Sequence, residues 1–480
     1  MNPKKLVYLI ICMAVALTAW FLPSEVFHIQ NLTVIEQRVI AIFLFAALMW
    51  ITEAIPSWTT SVLTIALMLF TVSDYSLFCF KPAEGVSAEV FGHAVKYRTL
   101  MATFADPIII LFMGGFVLAI GAEKVGLDKN LARVLFKPFG KRSGVVLLGL
   151  MFVTSVFSMF MSNTATTAMM FAVMAPLLKP AADSGKGRTA LILAIPVAAN
   201  IGGIGTPIGT PPNTIALGYL NEHLNLGIGF GQWMLVMAPF VLVLITIMWL
   251  FLLKMFPFKR KELELNFDCK FEKSTKAYIV YAVFAITVLL WMFDKATGLN
   301  SNIIAIIPIA AFAVTGVLTK SDLKCINWDV LWLVAGGFAL GIGLNQTGLA
   351  KHLVASIPLS TWSPIMTIIG ASLLCYIMST FMSHTAAMNL LVPVLAAVGI
   401  GMKDALTPYG GIPTLLISVA LSASLAMILP ISTPPNAIAY STDMIKQKYM
   451  AIVGIFAAVV GLLASFALLM GLGTLKYFNS

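Results

Sequence analysis

The sequence predicts an all-α polytopic membrane protein with about 11 transmembrane helices plus two re-entrant helical hairpins, arranged as inverted-topology repeats. First, 60% of the 480 residues are hydrophobic and 10% are charged, whereas soluble domains carry about 25% charged residues. Second, apolar runs close to the ~20 residues needed to cross a bilayer recur along the chain, such as Phe240–Leu253, Ala277–Phe293 and Ala451–Leu472. Third, the second half of the chain repeats motifs of the first.

The distribution of basic residues predicts how the chain crosses the membrane. Lys4 and Lys5 favour a cytoplasmic N-terminus, and eleven alternating spans then leave 22 of the 30 Lys and Arg residues inside, 8 outside and the C-terminus outside. This bias follows the positive-inside rule. The net charge of +10 therefore indicates topology rather than nucleic-acid binding. The first apolar run, Leu6–Leu22, also fits a signal peptide.

Three blocks of sequence recur at a nearly constant spacing. A Gly-Gly-Phe motif ending at Phe116 returns in the second half and ends there at Phe338. The block Phe-Met-Ser-Asn-Thr-Ala that starts at Phe160 returns at Phe381 with His in place of Asn, and Thr-Pro-Pro-Asn returns with almost the same offset. Each half is predicted to hold five spans, and an odd number forces the second half to insert upside down relative to the first.

The repeat sets the predicted domain boundaries. Residues 1–36 form an extra N-terminal span, and residues 256–276 form a charged cytoplasmic linker between the halves. The first repeat covers residues 37–255, with scaffold helices to about 140, a re-entrant hairpin at about 141–180 and a broken helix at about 189–220. The second covers residues 276–475, with scaffold helices to about 355, a re-entrant hairpin at about 362–400 and a broken helix at about 413–447.

A short polar tip interrupts the apolar segments at the same place in both halves. Ser162-Asn163-Thr164 separates two apolar segments of the first half, and Ser383-His384-Thr385 separates two in the second. Each flanking segment is expected to be too short to cross the whole bilayer, so the chain is predicted to enter the membrane and turn back. Ser, Thr and Asn cap helix N-termini, whose free N–H groups and partial positive charge favour an anion.

Double prolines interrupt the apolar segments at a second pair of matching places. Pro211 and Pro212 cannot donate to the carbonyls four residues back, and neither can Pro434 and Pro435, so each pair is predicted to break a membrane helix. Such breaks are tolerated at membrane depth where they line a cavity. Released carbonyls are ligands for a hard cation, while nearby side chains offer neutral donors to an anion, namely Thr210, Asn213, Thr433 and Asn436.

The remaining polar residues give weaker signals. Asp106 and Asp329 are expected to cap helix N-termini, and Glu53 is expected at a membrane boundary. The five cysteines show no metal-ligand spacing. The sequence contains neither His-Glu-x-x-His nor Gly-x-Ser-x-Gly, which disfavours an intramembrane enzyme.

The paired Ser-Asn-Thr and Thr-Pro-Pro-Asn motifs, with the Gly-Gly-Phe repeat, resemble the divalent anion:sodium symporter family of dicarboxylate, citrate and sulfate carriers. The resemblance covers essentially the whole chain after the first span. It implies a homodimer in which a scaffold stays fixed while a transport domain slides across the membrane, as in an elevator. It also implies transport of a small dicarboxylate of the succinate, malate or fumarate type, with sodium as the coupling ion and no organic cofactor.

The resemblance further implies which residues bind the ions and the substrate. The first sodium site would comprise Ser158, Ser162, Asn163 and the carbonyl of Gly209. The second would comprise Ser379, Ser383 and the carbonyls of Ser432 and Pro434. The substrate carboxylates would meet Asn163, Thr164, Thr210, His384, Thr385 and Thr433. The broken helices would be supported by Pro211, Pro212, Asn213, Pro435 and Asn436.

His384 departs from the family pattern, which has Asn at this position. A neutral imidazole can donate to a carboxylate, whereas a protonated one places positive charge beside the second cation site. Three alternatives stay open: a second sodium bound without a side-chain amide, a proton in its place, or sodium-independent exchange of dicarboxylates. An inorganic oxyanion such as sulfate is an alternative substrate. The short loops favour a bacterial inner membrane as the location.

Overall fold

The structure, a computed structural model, describes residues 3–83, 85–178, 186–263, 272–356, 362–475 and 477–478. Regular structure in these ranges is helical, apart from two isolated bridges that join Ser73 to Val95 and Arg142 to Glu262. Eleven of the described helices are long and apolar enough to cross a membrane. The prediction of an all-α polytopic membrane protein is thus confirmed. Part of the predicted linker, residues 264–271, lies outside the described residues.

The helix α1 (Pro3–Phe21) precedes the two halves. The α-helices of the first half are α2 (Val34–Thr52), α3 (Ser57–Thr71), α4 (Ala88–Phe91), α5 (Tyr97–Ala102), α6 (Pro107–Lys124), α7 (Leu127–Phe136), α8 (Ser143–Phe160), α9 (Asn163–Leu178), α10 (Gly187–Gly202), α11 (Pro211–Gly218) and α12 (Phe230–Met255). Single turns of 3₁₀-helix cover Ser24–Phe27, Phe78–Phe80, Thr103–Ala105, Lys137–Phe139 and Gly203–Gly205, and a π-turn covers Tyr219–His223.

The second half has the same order of long helices. Its α-helices are α13 (Thr275–Met292), α14 (Asp294–Thr297), α15 (Ser301–Ile304), α16 (Ile306–Val314), α17 (Trp328–Gln346), α18 (Leu349–Ser356), α19 (Pro364–Phe381), α20 (His384–Gly401), α21 (Lys403–Leu406), α22 (Gly411–Ser424), α23 (Pro434–Tyr440) and α24 (Gln447–Thr474). Turns of 3₁₀-helix cover Asp322–Cys325 and Thr407–Tyr409.

The arms of the two hairpins are longer than the sequence suggested. The first hairpin is α8 with α9, and the second is α19 with α20; three of these four arms have 18 residues and pass as candidate spans. At 1.5 Å per residue, 18 residues extend about 27 Å. Two apolar segments outside the hairpins, Ser57–Thr71 and Ser301–Val314, are shorter than these arms. Length alone therefore does not separate hairpin arms from spans in this chain.

The two halves pack against each other reciprocally. Helix α3 of the first half packs on α17 of the second, and the counterparts of these helices, α16 and α6, also pack together. Likewise α10 packs on α23, and α22 packs on α11. Each contact is matched by its counterpart with the halves exchanged, as expected for inverted repeats related by a two-fold axis.

The repeated Gly-Gly-Phe motif is explained by this packing. A Cβ atom added to Gly114 in α6 would lie 2.4 Å from the Ala305 carbonyl oxygen, at the start of α16. A Cβ added to Gly336, its repeat equivalent in α17, would lie 2.4 Å from the Cβ of Ser61 in α3. Both helix crossings are too close for any side chain, so both halves require glycine at this position.

One of the two predicted aspartate caps is found. Asp106 is the N-cap of α6, and its side chain accepts a hydrogen bond from the backbone N–H of Ile108. The prediction for Asp329 is wrong, because the N-cap of α17 is Asn327 and Asp329 lies within the first helical turn. The two blocks are one position out of register here, and the proline that fixes the start of α6 has no counterpart in α17.

Candidate functional site

Both hairpin tips and both helix breaks line one cavity of about 700 Å³. The predicted residues that line it are Ser162, Asn163, Thr164, Gly209, Thr210, Pro211, Ser383, His384, Thr385, Ser432, Thr433, Pro434 and Pro435. The other predicted residues do not line the cavity, and they are Ser158, Pro212, Asn213, Ser379 and Asn436. Equivalent residues of the two halves, far apart in sequence, are thus brought together in space.

The meeting of the two tips fixes their depth in the membrane. The hydrocarbon core of a bilayer is about 30 Å thick, and hairpins from inverted repeats enter it from opposite sides. If each hairpin crossed the membrane, its tip would lie at a surface and the two tips would be a full bilayer apart. Since both tips line the same cavity, both turns lie inside the protein at membrane depth, so the hairpins are re-entrant.

The tips present helix N-termini to the cavity. Helix α9 begins at Asn163 and α20 begins at His384. Ser162 Oγ accepts from the N–H of Ala165 at 3.2 Å, and Ser383 Oγ accepts from the N–H of Ala386 at 3.1 Å. Both tips therefore begin with the same hydroxyl cap and direct the positive end of a helix dipole at the cavity. This polarity favours an anionic guest.

A cluster of oxygen atoms lies directly behind the first tip. Ser158 Oγ is 2.7 Å from both Asn163 Oδ1 and the carbonyl oxygen of Ala199, and a hydroxyl has a single proton to donate. Turned the other way, the Asn163 amide nitrogen donates to Ser158 Oγ at 2.7 Å and to the carbonyls of Ala199 and Gly209, each at 3.2 Å. With Oδ1 facing the cluster, Asn163 adds a fourth oxygen to Ser158 Oγ and the carbonyls of Ala199 and Gly209, and oxygen atoms of this kind are ligands for a hard cation.

The equivalent region behind the second tip is built differently. His384 Nε2 lies 3.0 Å from the carbonyl oxygen of Ala426. A carbonyl only accepts, so Nε2 carries a proton and donates it to Ala426. Ser432 Oγ donates to the Thr380 carbonyl at 2.9 Å, and Ser379 Oγ has a sulfur contact, to Cys375 Sγ at 3.8 Å. At this tip an imidazole therefore occupies the place that the Asn163 amide has at the first.

The Asn of each Thr-Pro-Pro-Asn motif holds its helix break in shape. Asn213 Nδ2 donates to the carbonyls of Gly203, Ile204 and Thr206 at 3.0, 3.3 and 2.8 Å. Asn436 Nδ2 donates in the same way to Met427 and Leu429, at 2.8 and 3.1 Å. Both side chains are buried. Their amide nitrogens bind the break itself and are not available to an anion, contrary to one of the expectations from sequence.

The prolines act at helix starts rather than at kinks. Pro211 and Pro434 occupy the first position of α11 and α23, where a missing N–H costs nothing. The break in the first half therefore extends over the residues between α10 and α11. The Pro207 carbonyl, which was expected to be free, accepts a hydrogen bond from Thr214 Oγ1.

One buried polar residue at the cavity was not found from sequence. Asn200, near the end of α10, lines the cavity and donates from Nδ2 to Thr433 Oγ1 at 3.2 Å. It thereby joins the broken helix of the first half to the break of the second. The available signal was an amide within an otherwise apolar run, Ala-Ile-Pro-Val-Ala-Ala-Asn-Ile.

Two carboxylates lie at the mouth of the cavity. Glu53 and Asp329 both line it and are both solvent-exposed. Glu53 ends α2 with a φ of 46°, in the left-handed region that non-glycine residues seldom adopt. Another part of the wall is apolar and includes Phe112, Phe116 and Leu333. In the topology predicted from sequence, these carboxylates are on the cytoplasmic side.

Other parts of the described chain do not compete for the predicted site. No group of three or more His, Cys, Asp or Glu side chains among the described residues could hold a metal ion. A second cavity, of about 430 Å³, lies between the loops that follow α11 and α13, near Asp294 and Asn302. Its lining includes none of the predicted site residues.

Re-entrant hairpins and broken helices around a central cavity define a multi-pass membrane transporter. Comparison with known proteins agrees. Residues 3–475 match the family described as the sodium:sulfate symporter transmembrane region, and the chain belongs to this family. Its relatives are transporters rather than enzymes.

The similar proteins cover most of the chain. The sodium-dependent dicarboxylate transporter SdcS of Staphylococcus aureus is 31% identical over 471 residues, which cover 90% of this chain and 85% of SdcS. Two solved structures share the fold at low identity. The YdaH transporter of Alcanivorax borkumensis has a TM-score of 0.54 and 13% identity over 90% of this chain and 98% of YdaH. MtrF of Neisseria gonorrhoeae has a TM-score of 0.52 and 12% identity over 86% of this chain and 94% of MtrF.

Proposed function

We propose that this protein transports small dicarboxylates of the succinate, malate or fumarate type across the membrane, coupled to sodium. The observation that carries the proposal is the pair of hairpin tips that face one cavity, since a two-ended anion can place one carboxylate at each helix N-terminus. The cavity of about 700 Å³ falls within the range of about 300–1,000 Å³ that is usual for small-molecule sites. The name of SdcS supports this choice of substrate and ion.

In this proposal one carboxylate is held by Asn163, Thr164 and Thr210, and the other by His384, Thr385 and Thr433. Among the described residues no Lys or Arg lines the cavity, so hydroxyls, amide groups and helix dipoles hold the anion. Neutral donors release a substrate more readily than a bidentate guanidinium would. The residues behind the cavity, Pro212, Asn213, Pro435 and Asn436, maintain the shape of the breaks.

Sodium binding is proposed for the oxygen cluster at Ser158, Asn163 and Gly209, next to Ser162. A sodium ion would turn the Asn163 amide so that Oδ1 faces the cluster, and the amide nitrogen would then face the cavity. The same rotation would give the substrate a donor at the tip. Ion and substrate would thereby favour each other's binding, which is the linkage that coupled transport requires.

The second proposed cation site differs from the first because a histidine replaces the asparagine at its tip. Nε2–H of His384 occupies the Ala426 carbonyl, and this contact removes an oxygen from the region of Ser379, Ser383, Ser432 and Pro434. The contact favours an alternative, in which the protein binds fewer sodium ions or exchanges dicarboxylates without sodium. Sulfate is the alternative substrate that the family description suggests.

We further propose an elevator movement in a homodimer of the bacterial inner membrane, with the N-terminus in the cytoplasm. The hairpins and broken helices pack closely on one another, as α8 does on α10 and α19 does on α22. A second group, α3 with α17 and α6 with α16, meets the first where α17 packs on α20. The first group is suited to move as one transport domain against the second. In this proposal the acidic mouth is on the cytoplasmic side, and the cavity would open towards the cytoplasm.

The test is uptake of radiolabelled succinate into proteoliposomes that contain the purified protein. Uptake into empty vesicles that depends on an inward sodium gradient is the result expected of a symporter. Uptake that requires internal dicarboxylate and ignores sodium would establish the exchanger instead. Uptake of labelled sulfate but not succinate would overturn the choice of substrate.

A further inference from the structure

A separate apolar cavity lies between α1, α2 and α3, far in sequence from the transport motifs. Its volume is about 310 Å³, and the described residues that line it are apolar or aromatic apart from Thr71. Met13, Leu17 and Phe21 form its outer edge and are exposed on the surface of the protein. In a membrane this surface contacts lipid, so the cavity opens towards acyl chains.

An arginine lies over two of the aromatic rings that line this cavity. The guanidinium of Arg38 lies over the rings of Trp20, Phe80 and Phe91, with 5.6, 5.3 and 5.4 Å to the ring centroids. Trp20 and Phe80 also line the cavity, so the charge and the apolar space are contiguous. Among the described residues, no carboxylate lies within salt-bridge distance of Arg38.

The hydrogen bonds of Arg38 leave part of the guanidinium available. Both come from Nη1, to the carbonyls of Thr71 at 2.9 Å and Phe80 at 2.7 Å. Within the described chain Nε and Nη2 have no hydrogen-bond partner, and neither is among the fully buried polar atoms that lack one. A fork of free N–H donors matches the geometry of a phosphate group.

The location is that of a lipid headgroup. Arg38 lies one turn into α2, beside the last turn of α1, where Trp20 is close to the end of the apolar run Leu6–Leu22. Gln37, its neighbour, fixes that end of α1 by donating to the carbonyls of Ala19, Trp20 and Leu22. Charged and aromatic groups at helix ends mark the level of the membrane interface, so a phosphate at Arg38 would place the attached acyl chains at the depth of the cavity.

We propose that this cavity is a binding site for an anionic phospholipid, with one acyl chain between α1, α2 and α3 and the phosphate on Nε and Nη2 of Arg38. The site is independent of the transport cavity, because the residues lining the two do not overlap. A bound lipid would join the extra N-terminal helix to α2 and α3 of the first half.

The experiment is native mass spectrometry of the full, delipidated protein offered equal amounts of phosphatidylglycerol and phosphatidylcholine. The wild type should retain phosphatidylglycerol about tenfold better than phosphatidylcholine, because both lipids carry the phosphate but the choline ammonium leaves phosphatidylcholine without net charge beside Arg38. Arg38→Gln should lose this preference while still retaining both lipids. Arg98→Gln is the control and should behave like the wild type. Arg98 also lies over an aromatic ring, Tyr97, but neither residue lines any of the three cavities described above.

A second variant tests the acyl-chain part separately. Ala16→Phe fills the cavity from its edge and should reduce retention of both lipids without touching Arg38. Melting temperatures in detergent alone check that the variants fold. If Arg38→Gln unfolds, Arg38→Lys is used in its place, and its preference for phosphatidylglycerol should be smaller than that of the wild type. A full preference in the Arg38 variant, unchanged retention in Ala16→Phe, or equal stabilisation of the wild type by inorganic phosphate would each overturn the proposal.

Discussion

Ser158 and Ser379 occupy equivalent positions in the two hairpins, and their contacts predict opposite responses to substitution by alanine. Ser158 Oγ is fully buried and lies 2.7 Å from both Asn163 and the Ala199 carbonyl. Ser379 Oγ is equally buried, but its contact is with the Cys375 sulfur at 3.8 Å. Ser158→Ala therefore removes an oxygen from the proposed sodium cluster, whereas Ser379→Ala removes a hydroxyl with a weak partner.

The magnitude follows from the charge of the ion. An interaction with a charged group contributes about 1.5–3 kcal/mol, and about 1.4 kcal/mol corresponds to a factor of ten in affinity. Water cannot replace the lost oxygen at a fully buried position. Ser158→Ala should thus raise the half-saturating sodium concentration by about 10-fold to 150-fold, while Ser379→Ala should change it by less than about 3-fold.

The assay is succinate uptake into proteoliposomes as a function of external sodium. Sodium-dependent thermal shifts of the purified variants, without succinate, separate ion binding from transport. Melting temperatures without sodium control for a loss of folding. Equal effects of the two substitutions would refute the asymmetry between the halves, and no effect of Ser158→Ala would remove the first cluster as a sodium site.

Three further predictions concern the second tip and the packing of the helices. His384→Asn restores an amide at the position equivalent to Asn163 and should steepen the sodium dependence of uptake; an unchanged Hill coefficient would show that the imidazole does not limit cation binding. Asn213→Ala should lower the free energy of unfolding by about 2–4 kcal/mol, measured by denaturant unfolding in detergent, with the exposed Asn345→Ala as control. Gly336→Leu should prevent stable folding in a melting assay, whereas Gly370→Leu, with open space at its Cβ, should be tolerated.

The fold was largely predictable because duplication leaves its trace in the sequence. Three motifs that recur at a nearly constant offset identified two halves, and the structure has the same order of long helices in each. Hairpin arms were harder to predict, since α8 and α19 are as long and apolar as true spans. The depth of a hairpin tip depends on what packs around it, and hydropathy does not contain that information.

The site was predictable by position but less well by role. The repeat predicted one site formed by the tips and the breaks, and the structure gathers these segments around one cavity. The roles of Asn213 and Asn436 depend on carbonyls that precede them within the break, whose direction is set by the shape of the break. Asn200 was missed because its partner, Thr433, is far along the chain and in the other half.

The most direct test of the central claim is a cryo-EM structure of the protein with succinate and sodium. The account predicts succinate between the tips, with one carboxylate near Asn163 and Thr164 and the other near His384 and Thr385. It also predicts the Asn163 oxygen turned towards a sodium ion beside Ser158. Succinate bound in the cavity near Asp294 and Asn302, or contacting only one of the two tips, would contradict it.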